Sequence, residues 1–113
     1  MDSTAASPAI GRLEKLLDSP RDGALLRYSL GTEYLKLENM EKAIAFFRDA
    51  VARDADYSAA WRALGKTLET SGNSGGALDA YRMGIAAAQK RGDKQAGKEM
   101  SVFARRIEKR IAG

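Results

Sequence analysis

The sequence contains no cysteine and no histidine among its 113 residues. Without cysteine the chain can form neither a disulfide nor a thiolate metal site. Without histidine it lacks the commonest general base and the commonest metal ligand of proteins. No Ser/His, Cys/His or metal constellation can therefore be assembled. We predict a protein that is not an enzyme and that uses no cofactor or metal.

Proline and long apolar runs are also scarce. The two prolines are Pro8 and Pro20, so nothing from Arg21 onward forbids long helices. No stretch of about 18 apolar residues exists, which predicts no transmembrane helix. The N-terminus has neither the basic start nor the apolar run of a secretory signal. We expect a cytoplasmic protein without a membrane segment, and we expect the small polar residues 1–6 to be disordered.

Apolar residues recur at helical spacing along the whole chain, and no alternating strand pattern competes with them. This periodicity predicts an all-α fold of six helices. Ser7-Pro8 is a helix start, with a first helix ending near Asp18. Ser19-Pro20 is read as a second start, with Asp22 placed as in a capping box and a helix ending near Leu37.

Breaks between the later helices are expected at turn-forming residues. They are Glu38-Asn39, the segment 54–56, the run Ser71–Gly76, and Gly92-Asp93. The fifth helix should be longer than its counterpart because no turn residue precedes Gly92. Asp93 should cap the last helix, whose inward stripe is predicted to be Ala96, Met100, Phe103, Ile107 and Ile111.

A fixed period is the most informative positive feature of the sequence. Leu30, Gly31, Ala43 and Phe47 return 34 positions later as Leu64, Gly65, Ala77 and Tyr81. A period of this length is typical of stacked helical repeats. Glycine costs about 1 kcal/mol in a helix relative to alanine. Matched glycines on two apolar faces therefore indicate that a larger side chain is excluded there.

These residues resemble the tetratricopeptide repeat, whose pattern is Trp-x2-Leu-Gly-x2-Tyr followed by Ala-x3-Phe and a small residue. Residues 24–57 form the first copy and residues 58–91 the second. The sequence departs from the pattern at Arg27 in place of Trp, at Ala55 in place of Pro, and at Leu68 in place of Tyr. The matching residues are Leu30, Gly31, Tyr34, Ala43, Phe47 and Ala50, then Trp61, Leu64, Gly65, Ala77 and Tyr81.

The resemblance implies a single domain over residues 1–113, built as an α-solenoid of antiparallel helix hairpins. The first helix would be the second half of an incomplete repeat. The last helix, over residues 93–111, fits the pattern poorly in the same frame, because Lys98 and Glu99 fall at the Leu-Gly positions. We interpret it as a capping helix, since terminal units of such arrays need a polar outer face.

The resemblance also implies a function. In tetratricopeptide domains, one flank of each first helix lines a concave groove that holds an extended peptide or a partner helix. Arg62 and Lys66, one helical turn apart, could bind a carboxylate, and Tyr28 could pack on an apolar side chain. The lysine–asparagine clamp of some family members is absent, because Tyr28 and Thr32 stand at its positions. The candidate groove residues are Tyr28, Thr32, Lys36, Arg62, Lys66 and Glu69.

Three alternatives stay open at this point. Charged residues on a helix flank are often only solvated. Lys90–Gly113 contains 8 Lys/Arg and 3 Asp/Glu, a net charge of +5, whereas the whole chain carries +4. The positive charge is therefore concentrated at the C-terminal end, and the basic last helix could bind nucleic acid or another polyanion. Its interleaved acids and the lack of an aromatic platform disfavour nucleic acid. Self-association through Ile107 and Ile111 is the third alternative. The leading hypothesis is a scaffold for a protein or peptide partner whose identity the sequence does not reveal.

Overall fold

The computed structural model describes residues 7–113, and α-helix is the only regular secondary structure within them. The expected disorder of residues 1–6 lies outside the described residues. Two compact units divide the chain, one ending at Arg53 and one extending from Asp54 to Gly113. The prediction of an all-α protein with six helices is confirmed. The helices are α1 (Pro8–Glu14), α2 (Ala24–Lys36), α3 (Met40–Arg53), α4 (Ser58–Thr70), α5 (Ser74–Arg91) and α6 (Lys94–Ala112).

Helix α1 begins where the sequence predicts and ends earlier. The Ser7 hydroxyl accepts a hydrogen bond from the Ile10 N–H at 3.4 Å, and Pro8 occupies the first helical turn. After Glu14 the bonding tightens, because Leu16 and Leu17 donate to carbonyls only three residues back. Asp18 then adopts a left-handed backbone with φ 61°. The predicted end near Asp18 is therefore wrong. The α-helix ends at Glu14, and a tight non-α turn occupies the residues up to Asp18.

The predicted start of α2 at Ser19-Pro20 is also wrong. The helix begins at Ala24, after Gly23. The Asp22 carboxylate does not form a capping box with Ser19. It accepts hydrogen bonds from the Asp18 N–H at 2.9 Å and from the Arg27 guanidinium, whose Nη2 lies 2.6 Å away. The Asp22 carboxylate therefore forms an ion pair with Arg27 instead of capping a helix that starts at Ser19.

The core of the first unit is a helix hairpin in which an aromatic ring lies on a glycine. Phe47 of α3 is completely buried. Its ring covers Gly31 of α2 so closely that a Cβ atom on Gly31 would lie 2.5 Å from Phe47 Cε1. The expected reason for glycine here is confirmed: the ring occupies the space that a side chain would need. Leu30, Tyr34, Ala43 and Ala50 are buried around this contact.

The second unit repeats this arrangement. A Cβ atom on Gly65 of α4 would lie 2.5 Å from Cε1 of Tyr81, which belongs to α5 and is fully buried. The predicted break over Ser71–Gly76 is shorter than expected, because α5 begins at Ser74 and includes Gly75 and Gly76. The Asn73 side chain accepts a hydrogen bond from the Gly76 N–H at 2.8 Å and caps the helix. Helix α5 has 18 residues against 14 in α3, which confirms that it is the longer helix.

Helix α6 packs on α5 and completes the second unit. The Asp93 side chain accepts from the Ala96 N–H at 3.1 Å, which confirms the predicted cap. Met100 and Ile107 are fully buried, as the stripe predicts, together with Ala104, which the stripe omits. Ile111 is 60% exposed, so its predicted inward position is wrong. Every residue from Glu108 onward is exposed, because the last turn extends past its packing partners within residues 54–113.

Candidate functional site

The three candidate groove residues of α4 lie on one flank, which faces α6. Their spacing of three or four residues places them on one side of the helix. Arg62 Nε lies 2.5 Å from Oε1 of Glu99 on α6. That contact is an ion pair without hydrogen-bond alignment, since the buried Nε finds no correctly oriented acceptor among the described residues. The first candidate is therefore already paired with the chain's own last helix.

A single aromatic ring, Phe103 of α6, gathers three cations. The Lys66 ammonium lies 5.2 Å from the ring centroid, and the guanidinium carbons of Arg106 and Arg62 lie at 5.3 and 5.9 Å. All three distances are within the range of cation–π attraction. We call the surface formed by Arg62, Lys66, Phe103 and Arg106 the cation–aromatic face. It combines an apolar ring with positive charge that an anionic ligand could use.

Glu69, the third candidate on α4, holds the far end of this surface. Its carboxylate accepts a hydrogen bond from the Tyr81 hydroxyl at 3.1 Å and forms ion pairs with Arg106 at 3.6 Å and Arg110 at 2.9 Å. Burial, and then the hydrogen bond to Glu69, raises the pKa of Tyr81 well above its ordinary value. The Glu69 carboxylate is therefore already engaged by the Tyr81 hydroxyl and by two arginines of α6.

The charges of this surface do not balance. Within the described residues, the four cations Arg62, Lys66, Arg106 and Arg110 have two carboxylates as ion-pair partners, Glu69 and Glu99. Among residues 7–113, no carboxylate lies within 4.0 Å of the Lys66 ammonium, which is exposed. The surface therefore keeps a positive excess, concentrated at Lys66.

The three candidates on α2 have local partners of another kind. The Thr32 hydroxyl donates to the Tyr28 carbonyl oxygen at 3.1 Å, which ties it to its own helix. The Tyr28 ring lies 5.8 Å from the Phe47 ring, and Lys36 pairs with Glu33 at 2.8 Å. Thus α2 brings no pair of cations together. In the first unit these residues offer an aromatic and hydroxyl surface rather than an anion site.

Sequence reasoning missed the contribution of α6 to the site. The predicted groove residues do not include Glu99, Phe103 or Arg106, because a strict 34-residue frame misplaces this helix. The first residues of α2 and α4 are 34 positions apart, whereas those of α4 and α6, Ser58 and Lys94, are 36 apart. Helix α5 is four residues longer than α3 and the connection after it is two residues shorter, which together give the shift of two. The absence of a turn before Gly92 is the signal that could have revealed it.

A second charged cluster lies in the first unit and has a structural explanation. Arg27, which is 13% exposed, reaches Asp22 at 2.6 Å, Asp49 at 3.2 Å and Asp18 at 3.9 Å. The hydrogen bond from Arg27, together with that from the Asp18 N–H, holds the pKa of Asp22 well below its usual range. The hydrogen bond to Asp22 correspondingly raises the pKa of Arg27. Arg53 also approaches Asp22 at 4.0 Å, so three acids surround two arginines and the cluster leaves no unpaired cation for an anionic ligand.

The basic residues of α6 divide into paired and unpaired groups. Arg106 and Arg110 are held by Glu69, and Arg82 of α5 pairs with Glu108 at 3.4 Å. These contacts engage Arg106 and Arg110, whereas Lys94, Lys98 and Arg105 have no carboxylate within 4.0 Å among residues 7–113. In the described part of the chain, no helix is both long enough and apolar enough to cross a membrane.

Two helix hairpins, each with an aromatic ring packed on a glycine, place this chain in the class of helix-hairpin repeat proteins. A model of the tetratricopeptide repeat family matches residues 9–58 and 28–92. The chain is 43% identical over 97 residues to the TPR repeat-containing protein PA0015 of Pseudomonas aeruginosa, covering 86% of this chain and 92% of that protein. The chain belongs to the tetratricopeptide repeat family.

Solved structures share the fold. Protein BPP2914 of Bordetella parapertussis is 44% identical, with a TM-score of 0.75 over 91% of this chain and 90% of that chain. A tetratricopeptide repeat domain protein of Salinibacter ruber is 32% identical, with a TM-score of 0.72 over 80% and 91% of the two chains. Tetratricopeptide repeats are non-catalytic units that generally mediate protein–protein interaction. The family match ends at residue 92, so α6 lies beyond it.

Proposed function

We propose that this chain is a protein-interaction module that binds an acidic peptide or partner helix on its cation–aromatic face. The observation that carries the proposal is the unpaired Lys66 ammonium beside Phe103 and Arg62. A ligand carboxylate near Lys66 would find a charge that no described residue neutralises. An adjacent apolar side chain of the ligand could lie against the ring of Phe103.

Glu99 is part of the proposed mechanism. In the free protein the Glu99 carboxylate is paired with the Arg62 guanidinium, and the Glu99 side chain is 41% exposed. A ligand carboxylate would exchange with it, so Arg62 remains compensated before and after binding. Such an exchange keeps the cost of uncovering a charge low. It also limits the affinity, since one ion pair replaces another, and we expect binding at about the micromolar level.

The same proposal includes the α2 candidates at the corresponding repeat positions. Tyr28 and Thr32 precede Arg62 and Lys66 by 34 residues. They offer a ring and a hydroxyl instead of cations. We therefore propose that the first unit presents Tyr28 and Thr32 for apolar and neutral polar contacts with a protein ligand, and that Lys36 adds a cation that is already paired with Glu33.

Selection from a random peptide library displayed on phage tests the proposal and does not require that the partner be identified. We expect enriched peptides to carry Asp or Glu next to an apolar residue. Amide shifts in isotope-labelled protein should then centre on Arg62, Lys66 and Phe103. Lys66→Gln should weaken the best peptide by about tenfold or more, which is at least about 1.4 kcal/mol.

The matched control is Lys109→Gln, which removes one exposed cation of α6 away from the face. It should leave the affinity of the selected peptide nearly unchanged. If both variants weaken binding equally, the interaction reflects only overall charge. Equal loss in the two variants, or enrichment of peptides without acids, would contradict the proposed site.

A further inference from the structure

A second surface of residues 54–113 is a groove between α5 and the first half of α6. It has a volume of about 720 Å³ and does not involve the cation–aromatic face. Ile85 and Ala88 line it from α5, and Gly97, Ser101 and Val102 line it from α6. Val102 is 54% exposed and gives the groove an accessible apolar side chain. We call this surface the α5–α6 groove.

The repeat register explains why an apolar groove occurs here. With the 36-residue spacing between α4 and α6, Met100 and Ala104 correspond to Leu64 and Leu68, and all four are buried. In the same register Ser101 corresponds to Gly65. Helix α6 therefore follows the pattern of a first helix of a repeat, although a strict 34-residue frame makes it look irregular.

The position of Ser101 has a specific role in the two preceding repeats. At Gly31 and at Gly65 the following helix places an aromatic ring on the small residue, Phe47 in one case and Tyr81 in the other. Ser101 lines the open groove, and no helix follows α6 in the described part of the chain. Gly97, at the position of Trp61, adds further space: a Cβ built there would meet only Ala88 Cβ, at 3.7 Å. The groove thus has the small-residue surface that accepts a helix with a bulky side chain.

The charges around the groove indicate which kind of helix it could bind. Lys94, Lys98 and Arg105 border the groove, and all three are exposed. Among residues 7–113, none of them has a carboxylate within 4.0 Å. The one acid that lines the groove, Asp93, is engaged with the Ala96 N–H as the cap of α6. Arg105 donates to the Ser101 carbonyl oxygen at 3.4 Å, which leaves its charge uncompensated. An apolar surface bordered by cations without carboxylate partners is complementary to an amphipathic helix flanked by acids.

We propose that the α5–α6 groove binds an acidic amphipathic helix of a partner protein, which places an aromatic side chain over Ser101 and Gly97. This helix would pack on α6 as α3 packs on α2 and as α5 packs on α4. The inference is independent of the cation–aromatic face, since the two surfaces share none of the residues that define them. A partner could therefore engage one surface without the other.

The test uses a synthetic amphipathic helical peptide with one phenylalanine and leucines on one face and glutamates beside them. A second peptide replaces the glutamates by lysines. Both are titrated into isotope-labelled protein. We expect the glutamate peptide to shift amides of α5 and α6 between residues 85 and 105, and the lysine peptide to bind at least about tenfold more weakly.

Two variants locate the site. Val102→Glu places a charge on an exposed side chain, so it should preserve the helical circular dichroism while weakening the glutamate peptide by about tenfold or more. Met83→Glu, an equal charge change at an exposed apolar residue of α5 that does not line the groove, should leave binding nearly unchanged. Lys66→Gln should also retain it, which separates this site from the cation–aromatic face.

Several outcomes would overturn the inference. The lysine peptide could bind as tightly as the glutamate peptide, or the shifts could centre on Lys66 and Arg62. Alternatively, dilution of the protein alone could move the same groove amides, in which case a second copy occupies the groove instead of an acidic partner helix. Unchanged affinity in a correctly folded Val102→Glu variant would equally exclude the site.

Discussion

At the position where the second hairpin carries Trp61, the first carries Arg27. Trp61 packs close to Gly84 of α5 and satisfies its indole by donating Nε1–H to the Ala55 carbonyl at 2.8 Å. Arg27 fills the corresponding place with a largely buried cation, held by Asp22 and Asp49. The comparison shows that one repeat position accepts either an aromatic ring or a compensated charge. Only the charged solution depends on acids, Asp49 within the first repeat and Asp22 just before it.

Elsewhere the two hairpins use almost the same contact. Phe47 on Gly31 and Tyr81 on Gly65 give equal approach distances, and both rings are completely buried. The difference is one hydroxyl, which in the second unit donates to Glu69 and connects the core with the cation–aromatic face. The first unit has a purely apolar counterpart. Four predictions test how far the two units depend on equivalent interactions.

Removal of the buried rings should have the largest effect. Phe47→Ala and Tyr81→Ala should each lower the free energy of unfolding by about 3–5 kcal/mol, because each leaves a cavity on its glycine. Urea denaturation followed by circular dichroism measures the change. Met83→Ala, which truncates a side chain that is 50% exposed, is the control and should cost less than about 1 kcal/mol. A ring variant no less stable than this control would refute the packing model of that unit.

Filling the space beneath the rings should have the next largest effect. Gly31→Ala and Gly65→Ala should each destabilise by about 1–3 kcal/mol, because the added methyl group would overlap the aromatic ring. Thermal unfolding at one protein concentration compares the two units directly. Gly75→Ala is the matched control: its Cβ meets nothing within 4 Å, so helix propensity should leave it neutral or stabilise it by up to about 1 kcal/mol. Equal effects at all three positions would show that ring contact is not the reason for the glycines.

The charged cluster of the first unit should respond to acid. The folded-state pKa of Asp22 is depressed, so its contribution is complete above the unfolded value of about 3.9 and is lost as the pH falls below it. Wild-type stability should therefore decline between about pH 4 and pH 2, and Asp22→Asn should decline less. Urea midpoints across that range measure the slopes. Asp79→Asn, on an exposed residue of α5, should keep the wild-type slope, and an identical slope for Asp22→Asn would argue against the ion pair.

The hydroxyl of Tyr81 should give a smaller effect, at the opposite end of the pH scale. Its folded-state pKa is raised, so the neutral phenol stabilises the fold fully below about pH 10, and that stability is lost as the pH rises further. Tyr81→Phe should flatten the decline of the urea midpoint above pH 10. Ultraviolet absorbance of ionised tyrosine provides the independent readout. If the variant and wild type decline in parallel, burial of this hydroxyl is not the cause.

Much of the fold followed from local signals in the sequence. The 34-residue recurrence indicated that Gly31 and Gly65 exclude a larger side chain, and side-chain caps such as Ser7 and Asp93 marked real helix starts. The errors occurred where a side chain had a choice of partner. Asp22 could cap a helix locally or pair with Arg27, and only the fold brings Arg27 and Asp49 close enough for the second option to prevail.

The candidate site was predictable in part. Arg62, Lys66 and Glu69 were identifiable as one flank of a helix because helical periodicity is a property of a single segment. The partners of that flank on α6 were not, since they depend on how far α6 is displaced by the longer α5 and the shorter connection after it. A shift of two positions rotates a helix by more than half a turn. Such a shift changes which residues face the flank, and it also conceals Ser101 as the counterpart of Gly65.

The sequence by itself determined the helix class, the repeat, and the two small residues on which aromatic rings lie, because period and residue size are local quantities. The tertiary structure alone decided that Phe103 would gather three cations and that Glu69 would align two arginines. It also decided that α6 would present an open groove bordered by Lys94, Lys98 and Arg105. These features depend on distances between segments far apart in the chain, which packing of the whole second unit sets.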